Sequence, residues 1–116
     1  MDETIQLLGK MMDVTALRHR VLANNLANAD TPRFTRQDVK FKDLLANAME
    51  TGDAAKIAKV QPEIVQDTVS GYRPDGNNVS IQREMGEITE NSLIYQFSGS
   101  AITRKFATLR KAISGR

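Results

Sequence analysis

The sequence predicts a mainly α protein with two long terminal helices packed as an antiparallel, coiled-coil-like pair. An irregular connector, holding a short helix and room for a small β-hairpin, joins them. Three observations predict this. The C-terminal third carries an apolar stripe of heptad period, the first thirty residues carry a rougher stripe of the same spacing, and the stretch between them is crowded with Pro, Gly, Asn and β-branched residues. Residues 1–29 and 79–116 then form one axial helical domain, and residues 30–78 a loop and connector region.

In the N-terminal helix, expected over 4–28, Ile5, Leu8, Met12, Thr15, His19, Leu22 and Leu26 alternate by three and four. Leu8, Met12, Leu22 and Leu26 are its helix-pairing residues. A second stripe of Leu7, Met11, Val14, Leu17 and Val21 widens the apolar face beyond what one partner helix can cover. Met11, Val14 and Val21 are therefore expected to meet neighbouring subunits. Asn24, Asn25, Asn28, Asp30 and Pro32 end the helix, since Pro32 bars Thr31 from the right-handed helical region.

In the connector, Thr35 and Asp38 have capping-box spacing for a short helix. Phe41, Leu44, Leu45 and Ala48 are its expected apolar face, and Gly52 its end. From Lys59 to Arg73, Val60, Pro62, Ile64, Val65, Val69 and Gly71 suggest extended pieces and turns, either a short hairpin or a mobile loop. Asp75-Gly76-Asn77-Asn78 is turn chemistry with a supply of N-caps.

The last helix, expected over 80–114, places Ile81, Met85, Ile88, Ser92, Tyr95, Gly99, Ile102, Phe106, Leu109 and Ile113 on one seam. Its apolar members are expected to pair with the N-terminal helix of the same chain. Glu84, Glu87 and Glu90 lie early and Arg104, Lys105, Arg110 and Lys111 late, in agreement with the helix dipole.

Composition narrows the function. The chain has 116 residues, 41% hydrophobic and 26% charged, with a net charge of +2, too slight to imply nucleic-acid binding. The absence of Cys excludes disulfides and thiol chemistry, and a single His leaves no multi-His metal site. No nucleophile–base set, paired-carboxylate site or phosphate loop is present, so neither an enzyme, a cofactor nor a small-molecule substrate is expected. No apolar run reaches the roughly 20 residues of a membrane span, and the acidic start does not look like a secretory signal. His19 lies on the apolar stripe and reads as an interface or core histidine. Asn78-Val79-Ser80 is formally a glycosylation acceptor but reads as a cap.

Residues Ala23 to Phe41 read ANNLANADTPRFTRQDVKF, and Asp75 to Gln96 read DGNNVSIQREMGEITENSLIYQ. Both segments resemble the rod proteins of the bacterial flagellar basal body. The pairing of NADTP with DGNNV and ENSLIYQ is most similar to the proximal-rod branch. One departure stands out: the family usually has Gly-Tyr after Thr-Pro, where this chain has Arg33-Phe34. Either the turn differs, or it never needed the positive φ that Gly permits.

The resemblance implies an axial subunit in a rod crossing the periplasm, exported by the flagellar type III apparatus without a cleaved signal. It implies terminal helices lining the export channel. Its partners would be itself, other rod proteins, and the inner-membrane (MS) ring with its rod adaptor. By composition the Asn cluster is a helix stop. The resemblance favours intersubunit hydrogen bonds from Asn24, Asn25 and Asn28, with Thr31, Pro32, Phe34 and Phe41 locking one subunit to the next. The alternative is a folded, non-polymerising helical adaptor or chaperone that binds one partner helix.

Overall fold

The computed structural model describes residues 3–50 and 52–115, apart from the side chains of Leu44 and Ala48. Helix α1 spans Glu3–Ala27 and stops where the Asn residues and Pro32 require it. Strand β1 (Gln37–Lys40) follows, then helix α2 (Lys42–Glu50), helix α3 (Ala54–Ala58), strand β2 (Glu63–Gln66) and helix α4 (Ile81–Ser114). Ser80 is the N-cap of α4, its hydroxyl accepting from the Arg83 amide, and Gly115 closes the helix in the left-handed conformation. Asn78 is not a cap. Its side chain is buried and engaged elsewhere, as described below.

The two long helices are antiparallel. Asn25 meets Glu84 near one end, Asn91 meets Thr15 in the middle, and Met12 lies against Gly99 further along. The pair makes a flat, elongated body of 64 × 27 × 14 Å. Its radius of gyration is 17.6 Å, whereas a compact chain of this length would have about 13 Å.

The connector differs from expectation in two places. The proposed capping box at Thr35 and Asp38 does not form, because Gln37–Lys40 is extended and paired antiparallel with β2, Val39 facing Ile64 and Lys40 facing Glu63. Asp38 instead accepts from the Val39 amide and from Arg18. The sheet is also non-local, since α2 and α3 lie between its strands. The 59–73 stretch contributes one strand, not a hairpin of its own. Gly52 does end α2, at a φ of 61°.

The core lies between α1 and the connector. Val14, Val21, Val39, Phe41, Leu45, Ile57 and Val60 form one buried cluster, with Leu7, Met11 and Leu17 packed against it. The second stripe of α1 is therefore covered by this chain's own connector. Val14, at 1% exposure, and Val21 are core residues, and so is Phe41; the expectation that they face neighbouring subunits is corrected. Two short helices and a strand can do what one long helix cannot, namely wrap a broad apolar face.

Candidate assembly interface

The two motif segments, far apart in sequence, are parts of a single polar junction at one end of the helix pair. Asn25 is fully buried. Its amide donates to the Gln37 carbonyl (2.7 Å) and to Glu84 (3.2 Å), and its oxygen accepts from the Gln37 amide (2.9 Å). These contacts tie the outer edge of β1 to α1. The Asn77 side chain donates to the carbonyls of Asn28 (2.9 Å), Ala29 (3.1 Å) and Thr31 (2.8 Å) and accepts from the Val79 amide (2.6 Å). It thus satisfies carbonyls left open where α1 ends. Arg73 adds a further bond to the Ala29 carbonyl. Arg33 has a φ of 60°, and its amide donates to Asp75. A Cβ on Gly76 would sit 3.0 Å from the Arg33 side chain. The turn thus keeps the left-handed conformation, with Arg bearing it, and the Asp-Gly-Asn turn needs its Gly for close approach as well as for its φ of 81°.

Beside this junction lies a buried ion network. Arg36, 1% exposed, donates to Glu84 (2.6 Å), Asp67 (2.9 Å) and Glu87 (3.1 Å). Arg18 bridges Asp38 (2.9 Å) and Glu87 (3.1 Å). Asn78 accepts from the Arg36 amide and donates to the Asp67 carbonyl. Burial alone would lower the Arg36 pKa, but the bonds it donates to Glu84 and Asp67 outweigh it and raise it above its ordinary value. The Ser70 hydroxyl, with its amide and Arg36, holds the Asp67 carboxyl well below the usual range. Asp38 is lowered too: burial would raise it, and the bonds from Arg18 and the Val39 amide prevail. A single desolvated guanidinium thereby joins β1, the loop after β2, and α4.

Along the α1–α4 contact the usual distribution of side chains is inverted. The most buried residues of α4 are Glu84, Asn91 and Ser98, seven residues apart and all polar. Asn91 donates to the Thr15 carbonyl at 2.6 Å, and its own oxygen meets no hydrogen-bond partner among the described residues. The apolar seam predicted from sequence lies about a quarter-turn round the helix, given 3.6 residues per turn. Ile81, Met85, Tyr95, Phe106, Leu109 and Ile113 stand exposed there, Met85 at 57% and Ile113 at 88%. The expected pairing of Ile81, Met85, Leu109 and Ile113 with α1 is corrected, whereas Tyr95 and Phe106, though exposed, line clefts with Ala16 and His19 and with Ile5 and Gly9 of α1 respectively. Of that seam Ile88, Ser92, Gly99 and Ile102 are half-buried, whereas on α1 Leu22 is fully buried and Leu8, Met12 and Leu26 are half-buried.

The profile of the family described as "Flagella basal body rod protein" matches residues 12–35. The flagellar basal body rod protein FlgB of Aquifex aeolicus is 33% identical over 116 residues, covering 97% of this chain and 94% of the relative. FlgB of Aeromonas hydrophila is 34% identical over 115 residues, covering 90% and 87%. FlgB of Escherichia coli is 31% identical over 120 residues, covering 89% and 87%. The chain belongs to the FlgB family of flagellar basal body rod proteins.

In this FlgB-family chain the candidate site residues divide into two groups. Asn25 and Phe41 are consumed inside the chain. Asn28 bonds back to Asn24 and to Thr31, serving as the helix stop that composition suggests. Asn24, Thr31 and Pro32 are exposed, Phe34 and Met11 half-buried, and these stay available to a neighbour. His19 is exposed on α1, not in the core, and with Tyr95 it lines a shallow notch between the long helices. Sequence reasoning missed Arg36, Asp67, Asn77 and Asn78 as structural groups, and it read Glu84 only as a dipole charge. A signal for Glu84 was present, because Glu84, Asn91 and Ser98 recur at seven residues, a polar stripe beside the apolar one. Little local marked Arg36, whose hydrogen-bonded carboxylates are 31 to 51 residues away and whose one near partner, Asp38, is a longer ion pair of 3.5 Å.

Proposed function

We propose that this chain is a structural subunit of the proximal flagellar rod. It assembles with copies of itself and with other rod proteins through its terminal helices, which line the export channel and transmit torque. The MS ring with its rod adaptor, and the type III export apparatus, are its further partners in the basal body. Family membership supports the structural rod role. The observation that carries the assembly reading is the apolar seam of α4, where Ile81, Met85, Tyr95, Phe106, Leu109 and Ile113 are exposed while the polar Glu84, Asn91 and Ser98 of the same helix are buried. A helix that stands alone puts its apolar side inward. This one completes its burial only when another subunit covers it. Among the described residues no helix is long and apolar enough to cross a membrane, so the seam is not a bilayer span.

Charging the seam tests this. Met85→Glu and Phe106→Glu alter exposed side chains, so the helical circular dichroism should persist. Each variant should lose co-sedimentation with the other rod proteins and should fail to support motility. Assembly equal to that of the unaltered chain would falsify the reading. A stoichiometric complex with one partner, and no polymer at any concentration, would favour the adaptor instead.

A further inference from the structure

The exposed apolar surface of α4 lies on two flanks, and they differ in shape. One is the seam just described, a ridge. The other is a groove of about 550 Å³ on the opposite flank, lined almost wholly by apolar groups including Leu7, Met11, Leu45, Met49, Leu93 and Phe97. The groove has an acidic surround. Glu3 lies one helical turn from Leu7 and Glu50 adjoins Met49, while Glu90, one turn before Leu93, also lines the neighbouring cleft near Arg18. Lys42, one turn from Leu45, is a basic residue at the same spacing, whereas Lys10 is turned to the Ala58 carbonyl.

The end of α4 has the opposite character. After Glu90 the helix carries no acidic residue, but it has Arg104, Lys105, Arg110 and Lys111. Phe106, Leu109 and Ile113 recur there on one face, all exposed, with Phe106 also lining a cleft beside Ile5 and Gly9 of α1. At 1.5 Å per residue α4 is about 51 Å long and α1 about 37 Å, so the last turns of α4 extend past the start of α1. This basic, apolar tail cannot reach the groove of its own chain, because both are carried on the same continuous helix.

We propose that the tail of α4, from Phe106 to Ile113, docks in the Leu7–Met49–Phe97 groove of a second copy of this chain. Apolar side chains enter the groove, and the tail's cations face Glu3, Glu50 and Glu90 of the receiving copy. This rests on the rod reading and specifies its contact. Ridge and groove are different patches, so the contact is heterologous: it repeats head to tail and builds a ring or a helical array, not a closed two-fold dimer.

The chain lacks native Cys, which makes cross-linking clean. Two differently tagged full-length copies, one Met49→Cys and the other Ile113→Cys, are produced together in rod-assembling cells and oxidised. Both sites are exposed, so neither change disturbs the core. A mixed 49–113 cross-link is expected to exceed either same-site cross-link by at least tenfold. Arg110→Glu with Lys111→Glu should abolish it, and Glu50→Lys in the receiving copy should restore it in part. Dominant 49–49 or 113–113 products would overturn the docking while leaving the rod reading intact. So would capture of the tail by a different rod protein only. Absence of the chain from the isolated rod would remove the rod reading itself and the docking with it.

Discussion

Arg33 shows what one backbone angle demands. Its φ of 60° is fixed by the hydrogen bond from its amide to the Asp75 carbonyl and by the close approach of Gly76, so the turn requires the left-handed conformation whichever residue occupies it. Arg33→Gly should therefore raise stability by about 1 kcal/mol, read as an increased urea midpoint with an unchanged slope. A lowered midpoint would show that the Arg side chain compensates for its backbone. Arg36 is the opposite case, a residue whose loss orphans its partners. Arg36→Ala leaves Glu84 buried without its cation and should cost about 3–5 kcal/mol in a thermal melt. The network also sets an acid limit. Asp38 and Asp67 titrate lower when folded than when unfolded. Their contribution is complete above the ordinary carboxylate range and is lost as pH falls through the lowered folded values. Stability should decline from about pH 4 downward. Asp67→Asn should flatten that decline, and an unchanged acid limb would exclude Asp67 as a source.

Among the elements, the connector is the decisive one. Helix α3 has only five residues and could not persist alone. Asp53 caps it, and Ile57, fully buried, holds it against α1 with Val60. Ile57→Ala should cost about 2–5 kcal/mol and loosen α3 and β2 together, which protection of the Glu63–Gln66 amides from hydrogen exchange would report. Unaltered strand protection would mean that the sheet is held by the Arg36 network alone. The long helices and their ends were legible in the sequence because 3.6-residue periodicity and Pro32 act locally, whereas the caps of α4 are Ser80 and Gly115 and not the Asp75–Asn78 turn that offered them. The strands were not, because β1 exists only through pairing with a segment more than twenty residues away. Propensity read Thr35 to Asp38 as a helix start, and tertiary pairing overrode it.

For the whole molecule, the elongated body and the inverted polarity of α4 belong together. Polar contacts at Glu84 and Asn91 specify the register of the pair but add little hydrophobic stability, since each exchanges water for a protein partner. The part of α4 beyond Phe106 then has the least to hold it in a lone chain. Its amides should exchange quickly in dilute solution and become protected by at least a hundredfold in the assembled rod. Equal protection in both states would mean that the tail needs no neighbour.

From the order of residues alone come two long helices, their ends, an apolar seam of heptad period, and a family resemblance carried by two short motifs. These follow from forces that act within a turn or two of chain, which is why they could be read in one dimension. Which side of each helix faces inward was decided only in three dimensions. The connector covered Val14, Val21 and Phe41, and the Arg36–Glu84 pair turned the acidic side of α4 toward α1. With Glu84 buried against its counterion, most of the greasy seam further round the helix was left outside, since a buried carboxylate without that cation would cost more than the exposed apolar surface.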